Sequence, residues 1–285
     1  MVSSPVDLTV SVVVHDPDEG LLAPTVSALA AAVRRAREAG ELATCRLVLV
    51  DHSAGSAATP LLERLGRDFA AGAPGGGAEV LAHGDNPGFG AGHDRALARC
   101  AAPFHLVLNP DAVMEEDALA AGLAFLRGRP RTAVVSPWVD TGPGGPRHLL
   151  KGDPDPWTLF LRGFAPAWLR RRAARRLDAY ALADLDTDRV HEDVPHASGC
   201  FLLCRREALD DVGGFDERFF LYFEDLDLCR ELRARGWRIA FVPTVRIRHH
   251  AGGAARKGWR HARLFTASAW RFFRKHGWGR PRGPR

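Results

Sequence analysis

The sequence lacks an apolar run long enough to cross a membrane. A spanning helix needs roughly 20 consecutive apolar residues, and no segment of this 285-residue chain approaches that length. The first residues, MVSSPVDL, also lack the basic and then apolar layout of a secretory signal. We therefore expect a cytoplasmic protein.

Cysteine is scarce and scattered along the chain. None of the five cysteines forms the C-x-x-C spacing of a zinc or redox site, so we interpret them as buried free thiols. A serine or cysteine nucleophile with a paired histidine is not evident either. The sequence therefore gives no support to a zinc site, a redox site or covalent catalysis.

Positive charge is in modest excess and unevenly spread. The net charge is +5, with five arginines between positions 170 and 176 and many Arg, Lys and Trp residues among the last thirty. Such patches suit nucleic acid, an anionic membrane or an acidic ligand. The alternative is a solvated helix face. The hydrophobic content of 46% is ordinary for a globular chain with a real core.

Strands alternate with helices in the first half of the chain. Apolar, β-branched runs predict buried strands at 8–15, 46–51, 79–82 and 104–108. The intervals have helical spacing, with helices expected to end near position 40 and to occupy 60–71 and 95–100. This alternation predicts an α/β fold with a doubly wound, mostly parallel sheet flanked by helices.

The second half has a less regular pattern. Expected strands lie at 132–139, 200–204 and 237–243, with a turn or strand end at 246–250, and expected helices at 157–177, 205–213, 225–236 and 258–275. The last helix is basic and aromatic. Segment 178–195 shows no period that identifies an element. We expect this middle region to shape the pocket of a second substrate.

Polar clusters follow three of the predicted strands. They are His15-Asp16, Asp51-His52-Ser53 and Asn109-Pro110-Asp111. Ligands of doubly wound sheets bind at the carboxyl ends of the strands, where these side chains would meet. Each cluster alone is also typical of a turn or a cap. Together they predict an acid-lined crevice.

A glycine-rich loop, DNPGFGAGHD, occupies positions 85–94. Its glycines would let the backbone come close to a ligand, and the helix expected at 95–100 could offer its N-terminus to a diphosphate. The GFGAG spacing is not the G-x-G-x-x-G fingerprint that follows a first strand, which argues against a dinucleotide enzyme.

Asp111 is a candidate metal ligand. A carboxylate at a strand end could supply oxygen to Mg²⁺ or Mn²⁺, which take their remaining ligands from water and substrate phosphates. The alternative is an Asn-Pro turn with a helix cap, since three acids at 115–117 begin a predicted helix.

Two acids, Glu224 and Asp225, open another predicted helix. Asp225 lies three and four residues before Leu228 and Cys229, so it points toward the buried side while it sits in the first turn. Burial disfavours the charged carboxylate, whereas the helix N-terminus favours it. An ionised carboxylate beside a hollow is what a general base needs. The alternative is simple capping of the helix.

Seven sequence blocks carry a family resemblance. In chain order they are VSVVVHDPDEG, VLVDHSA, NPGFGAGHDRAL, LVLNPDA, HASGCFLLCRREALDDVGGFDERFFLYFEDLDLCREL, GWRIAFVP and RIRHHAGGA. With them the chain resembles a family 2 glycosyltransferase of the GT-A fold, in the branch of bacterial rhamnosyltransferases. The resemblance implies a GT-A domain at 1–256, with a donor-nucleotide half at 1–112 and an acceptor half at 113–256. A basic aromatic helix and tail would follow at 257–285.

The resemblance also implies a role for each matching residue. Asp225 would be the base that deprotonates the acceptor hydroxyl, and Glu224 would orient that acceptor. Asp111 and His249 would hold the metal at the donor diphosphate. The donor would be bound by His15, Asp51, Asn86, Gly88, His93 and Asn109, with Asp51 on the nucleobase and Asn109 on the ribose.

The implied reaction is an inverting displacement assisted by Mg²⁺ or Mn²⁺, in which the acceptor oxygen attacks the anomeric carbon opposite the leaving diphosphate. The usual donor of this branch is dTDP-rhamnose, and its acceptors are saccharides or lipid-linked saccharides of O-antigen and related cell-surface polysaccharides. His52, His93-Asp94 and Ala254 replace the family's usual Asn, Asn-Asn and Ser. UDP-hexose and galactofuranose donors therefore stay open, as does the oligomeric state.

Other functions compete with this one. A nucleic-acid-binding protein would explain the positive charge but not the acid-lined crevice, so no nucleic acid partner is expected. A nucleotidyltransferase would carry a basic, Gly-rich triphosphate loop after the first strand, where this chain has HDPDEG. A scaffold that binds sugar nucleotides without turnover is a third reading.

The basic regions suggest one further partner. The arginine-rich segment and the C-terminal region, with Trp259, Trp270, Phe272, Phe273 and Trp278, would suit the anionic inner face of a membrane that carries a lipid-linked acceptor.

Overall fold

The computed structural model describes residues 6–55, 57–143, 145, 147–249 and 259–278. Within them one mixed sheet of eight strands forms the centre. The strands are β1 (Leu8–Val14), β2 (Cys45–Asp51), β3 (Gly76–Ala82), β4 (Phe104–Leu108), β5 (Ala112–Met114), β6 (Thr132–Asp140), β7 (Phe201–Arg205) and β8 (Arg238–His249). The helices are α1 (Glu19–Glu38), α2 (Thr59–Gly72), α3 (Phe89–Leu97), α4 (Ala118–Arg127), α5 (Pro156–Gly163), α6 (Ala167–Arg172), α7 (Ala174–Ala181), α8 (Arg206–Val212), α9 (Glu224–Ala234) and α10 (Trp259–His276).

The strand order is β3-β2-β1-β4-β7-β6-β8-β5. β3, β2, β1 and β4 run parallel, and so do β6 and β8. β7 is antiparallel to both of its neighbours, and β5 is antiparallel to β8. The carboxyl ends of β1, β2 and β4 therefore lie along one edge. The expected α/β fold with a doubly wound, mostly parallel sheet is confirmed.

Both faces of the sheet are buried. On β4, Leu106 belongs to one apolar cluster and Val107 to another, as the alternation of side chains along a strand requires. The first cluster includes Leu29 of α1, and the second includes Leu228 of α9. Because each face meets helices, these strands are buried on both faces, and the polar side chains within them, such as Ser11 and His105, are buried as well.

The glycine-rich loop is largely helical. α3 begins at Phe89, whereas the sequence predicted a helix at 95–100. A Cβ on Gly90 would lie 2.7 Å from the Cβ of Phe215, and a Cβ on Gly92 would lie 2.7 Å from Cε1 of His52. These two glycines therefore allow α3 to pack closely against Phe215 and His52, and an approach of the loop to a ligand stays a prediction.

The segment expected as one helix at 157–177 is three short helices, α5, α6 and α7. Proline fixes its own φ and favours extended backbone before it, and Pro166 lies between α5 and α6 as the N-cap of α6. β8 continues to His249, so the segment from position 246, expected as a turn or a strand end, is the end of a strand. His250 and Ala254 lie outside the described residues.

The basic aromatic helix predicted at 258–275 is confirmed as α10. Its Phe272 and Phe273 are buried in a cluster with Phe219, Phe223 and Leu226. These two phenylalanines therefore do not face a membrane, contrary to the expectation from sequence. The proposed halves of the main domain stay a prediction. Among the described residues, no helix combines the length and apolarity that crossing a bilayer demands.

Candidate active site

Glu224 and Asp225 begin α9 at a strained turn. Tyr222 and Phe223 have positive φ values of 70° and 69°, which bulky residues rarely adopt outside functional sites. Asp225 accepts hydrogen bonds from the Gly199 amide to Oδ2 at 2.9 Å and from the Leu226 amide to Oδ1 at 2.8 Å. Glu224 is buried, and its Oε2 has no hydrogen-bond partner among the described residues.

The two carboxyl groups differ in the charge that they favour. Burial, reinforced by the charge of Asp225, raises the pKa of Glu224 to about 8. Burial also raises the pKa of Asp225, but the amides of Gly199 and Leu226 oppose this rise. Because such donors favour an ionised carboxylate, the pair holds its negative charge on Asp225 and its proton on Glu224 near neutral pH. Asp225 is thus able to accept a proton.

A cavity of about 170 Å³ lies beside these two acids. We call it the acid-pair cavity. Its polar lining residues are Lys151, Arg162, Tyr180, Ser198, Tyr222, Glu224 and Asp225. Apolar side chains, among them Leu159 and Phe265, complete the wall. A hydroxyl group of a ligand in this cavity would lie within reach of Asp225.

Asp111 and His249 meet at the edge of the sheet, where Ala112 of β5 pairs with His249 of β8. His249 Nε2 lies 3.3 Å from Asp111 Oδ1 and 3.5 Å from Asn109 Nδ2. His249 Nδ1 is buried, and no partner for it lies among the residues that are described. A carboxylate oxygen beside an imidazole nitrogen fits a divalent cation such as Mn²⁺. The structure therefore brings the predicted metal ligands together.

Asn109 connects this group to the acid pair. Its backbone N–H donates to the carbonyl of Cys200 at 2.9 Å, and the adjacent residue, Gly199, donates to Asp225. A short stretch of backbone therefore separates the candidate metal ligands from the candidate base.

A second cavity, of about 340 Å³, lies at the carboxyl ends of β1 and β2. We call it the crevice. Three of the predicted donor-binding residues line it, namely His15, Asn86 and Gly88. The opposite wall includes Phe220 and, from α10, His261. A crevice is therefore present at the predicted edge, with a wall that the sequence did not predict. None of the acids expected there, Asp16, Asp51 and Asp111, is among its described lining residues, so the prediction of an acid lining is wrong.

Asp51 and His93 are buried and do not line the crevice. Asp51 is 1% exposed and accepts a hydrogen bond from the Ser53 amide at 2.8 Å. His93 is also 1% exposed, and its Nδ1 lies 2.6 Å from the hydroxyl of Ser11. Burial lowers the pKa of His93 well below its usual range, so its ring is neutral. His93 thus joins α3 to β1 and does not reach a ligand surface.

A second group of side chains close enough to share a metal ion joins α9 to α10. The ligand atoms of Asp227, Glu231 and His276 lie within 4.8 Å of one another. Asp227 accepts hydrogen bonds from His276 Nε2 at 2.6 Å and from Lys275 Nζ at 2.8 Å. Lys275 also lies 3.2 Å from Glu231. Because the lysine already supplies a cation, we interpret this α9–α10 clasp as an ion-pair network that holds α10 beside the acid pair.

Several residues of both cavities were missed by sequence reasoning. Lys151, Arg162 and Tyr180 lie in or beside α5 and α7, whose segments carry no recognisable motif. His261 comes from α10, whose aromatic and basic composition indicated a functional surface but not a contact with the crevice. Their roles depend on contacts between segments that are distant in sequence.

Residues 63–276 match the family described as "Glycosyltransferase like family 2". An N-acetylglucosaminyl-diphospho-decaprenol L-rhamnosyltransferase of Mycobacterium tuberculosis is 29% identical over 187 residues, which are 60% of this chain and 58% of that protein. Rhamnosyltransferase WbbL of Escherichia coli is 40% identical over 58 residues, or 20% of this chain and 22% of that protein. The matches thus span less than two thirds of either relative.

Solved glycosyltransferase structures share the fold. A mannosyltransferase from Pyrobaculum calidifontis, in complex with GDP-Man and Mn²⁺, has a TM-score of 0.60 at 17% identity and covers 95% of this chain and 65% of that one. GalNAc-T7, with UDP, GalNAc and Mn²⁺, has a TM-score of 0.62 at 16% identity and covers 86% of this chain and 43% of that one. At such identities the likeness establishes the fold alone, and it confirms the GT-A fold.

Proposed function

The chain belongs to glycosyltransferase-like family 2, and we propose that it is an inverting, metal-dependent glycosyltransferase that acts on a nucleotide-sugar donor and a saccharide or lipid-linked saccharide acceptor. The observation that carries the proposal is the position of Asp225. Its carboxylate is held by two backbone amides at the wall of a cavity. Glu224, in its protonated form, lies next to it. The group formed by Asn109, Asp111 and His249 is connected to it through a short stretch of backbone.

The reaction is a single displacement. Asp225 takes the proton of an acceptor hydroxyl while that oxygen forms a bond to the anomeric carbon of the donor sugar. The bond between that carbon and the diphosphate oxygen breaks, and the nucleoside diphosphate leaves with the electron pair. Glu224, which keeps its proton near neutral pH, is able to donate a hydrogen bond to the acceptor. Attack from the face opposite the diphosphate inverts the anomeric configuration.

Asp111 and His249 are the residues that would hold Mg²⁺ or Mn²⁺. The cation would neutralise the charge of the leaving diphosphate. Support comes from the adjacent oxygen and nitrogen donors and from the unpartnered, buried His249 Nδ1. Glycosyltransferases with this fold, such as the P. calidifontis mannosyltransferase, have been solved with Mn²⁺.

The donor we propose is dTDP-L-rhamnose. Both of the relatives described above are named rhamnosyltransferases. The crevice would receive the nucleoside against His15, Asn86 and Gly88. Asn109 would meet the ribose, and Asp51, which does not line the crevice, would support its edge by accepting from the Ser53 amide. UDP-hexoses and UDP-galactofuranose are the alternative donors.

The proposed place of action is the cytoplasmic face of a membrane that carries the acceptor. Exposed aromatic side chains on α5, α6 and α10 include Trp157, Trp168 and Trp270. Arg170 and Arg271 are among the arginines on the same helices. Aromatic and basic side chains together favour an anionic lipid interface. Co-sedimentation with phosphatidylglycerol vesicles but not with phosphatidylcholine vesicles is expected, and absence of binding to both would refute the membrane contact.

The transferase proposal is tested by turnover with defined substrates. The chain is incubated with dTDP-rhamnose, UDP-glucose or UDP-galactofuranose and with N-acetylglucosaminyl-diphospho-decaprenol, the acceptor in the name of the M. tuberculosis relative. Mn²⁺, Mg²⁺ or EDTA is present, and products are identified by mass. Transfer from dTDP-rhamnose that EDTA abolishes is expected. If only a UDP-sugar is consumed, that sugar nucleotide is the donor in place of dTDP-rhamnose. If no donor is consumed, the transferase proposal is contradicted.

A further inference from the structure

Two cations line the acid-pair cavity next to the candidate base. Lys151 follows β6 and is half-buried, whereas Arg162 of α5 is exposed at the mouth. The hydroxyl groups of Tyr180 and Ser198 belong to the same lining. The cavity therefore offers several hydrogen-bond donors and two positive charges within a small volume.

The charge of Lys151 is only partly offset by Asp225, which belongs to the same lining. Among the described residues, Lys151 and Arg162 form no ion pair within 4.0 Å. The guanidinium carbon of Arg162 lies 5.8 Å from the centroid of the Tyr180 ring. Burial, with the charge of Arg162, lowers the pKa of Lys151 to about 8. Because neither cation has a direct carboxylate partner among the described residues, the cavity is able to receive an anion.

The backbone holds both cations in place. The Lys151 amide donates to the carbonyl of His196 at 3.1 Å, and the Gly152 amide donates to the carbonyl of Tyr180 at 2.8 Å. Asp155 caps α5 by accepting from the Thr158 amide at 3.0 Å, and it also accepts from Arg176 Nη2 of α7 at 2.7 Å. The elements that carry Lys151, Arg162 and Tyr180 are thus fixed to one another before a ligand arrives, which reduces the ordering cost of binding.

We propose that the acid-pair cavity binds a phosphate group of the acceptor, with Lys151 and Arg162 as the residues that select a glycosyl phosphate or diphosphate over a neutral saccharide. The inference rests on the proposed transferase function and names the chemical class of its acceptor. A phosphate offers several acceptor oxygens and more than one charge, which matches a guanidinium, an ammonium and two hydroxyls better than a single carboxylate does. The donor's diphosphate is assigned to the separate group at Asp111 and His249.

Calorimetry with two small probes tests this selection directly. N-acetylglucosamine 1-phosphate is expected to bind the wild-type chain at least tenfold more tightly than N-acetylglucosamine. Lys151→Met should abolish that difference, and Lys151→Arg should keep most of it. Arg67→Ala removes an exposed cation of α2 and serves as the matched control that leaves both affinities unchanged. The neutral sugar's affinity reports whether a variant has lost its fold.

The outcomes separate this inference from the transferase proposal. Equal affinity of the wild type for the two probes, or binding of neither, overturns the inference whatever sugar is transferred. A loss of dTDP affinity in Lys151→Met with unchanged affinity for the 1-phosphate would assign the cavity to the donor and also overturn it. Comparison of the 1-phosphate with an alkyl diphosphate of the same sugar distinguishes a soluble from a lipid-linked acceptor. Either is an acceptor of the proposed class.

Discussion

We expect the negative charge of Asp94 to weaken the fold at neutral pH. It is half-buried on α3, and its oxygens accept hydrogen bonds from the Phe215 amide at 2.9 and 3.2 Å. Among the described residues it has no cationic partner. Burial is the main cause that raises its pKa from 3.8 to about 7, against the opposing effect of the Phe215 amide. The family that this chain resembles usually has Asn at this position, so we predict that Asp94→Asn stabilises the protein.

The expected magnitude follows from proton linkage. A rise of about 3 pKa units corresponds to an upper limit of about 4 kcal/mol. Asp94 is partly exposed, and the new amide N–H₂ has no acceptor ready, so we expect about 1–2 kcal/mol. Because the folded state keeps its proton longer than the unfolded state, the wild type loses stability as the pH rises from about 4 to about 7. The gain in the variant should therefore be full at pH 8 and small at pH 4.5.

Urea unfolding of both proteins at these two pH values checks the prediction. The exposed Asp188→Asn is the control, which should leave the free energy of unfolding unchanged at both. An Asp94→Asn variant that is less stable than the wild type at pH 8, or that gains equally at pH 4.5, would refute the reasoning about burial.

Three further predictions concern packing and the acid pair. Gly92→Ala should destabilise the fold by about 1–3 kcal/mol in urea unfolding, because its Cβ would meet His52. Gly163 has nothing within 4 Å of an added Cβ, so Gly163→Ala should cost less than roughly 0.5 kcal/mol. Equal costs for the two variants would contradict the role of Gly92 in packing. Asp227→Ala removes the hydrogen bonds that Lys275 and His276 donate to this carboxylate, while Lys275 keeps Asp216 and Glu231. It should cost about 1–3 kcal/mol and speed hydrogen exchange across α10, and unchanged exchange would contradict the α9–α10 clasp. Glu224→Gln replaces the protonated acid by an amide that cannot ionise, so the acid limb of the activity–pH profile, set by Asp225, should stay where it is. The fall in activity as Glu224 loses its proton near pH 8 should disappear, and a shifted acid limb would contradict the assigned charges.

The strands of the sheet could be predicted from the sequence because a strand that is buried on both faces appears as a short apolar run. The apolar run at 104–108 coincides with β4, and the polar residues after the strands include Asn109 and Asp111, which lie together with His249 as expected. Residues that follow parallel strands reach the same edge by topology alone. Local pattern was therefore sufficient for the fold and for one part of the site.

Contacts between residues that are distant in sequence could not be predicted from local patterns. Gly90 and Gly92 looked like a ligand-binding loop, but their role depends on contacts with Phe215 and His52. The family resemblance placed His93 among the donor-binding residues, but in the structure its ring is buried against the hydroxyl of Ser11. The acid-pair cavity takes Lys151, Arg162 and Tyr180 from segments without a period or motif, so nothing in the local sequence indicated that they would converge on Asp225.

The most direct test of the account is turnover by Asp225→Asn. The amide keeps the size of the side chain and one of its hydrogen-bond acceptors, but it cannot take a proton. Single-turnover transfer from dTDP-rhamnose should fall by about 100-fold or more, while the calorimetric affinity for dTDP with Mn²⁺ changes little. Transfer within tenfold of the wild type, with dTDP binding intact, would show that Asp225 is not the base.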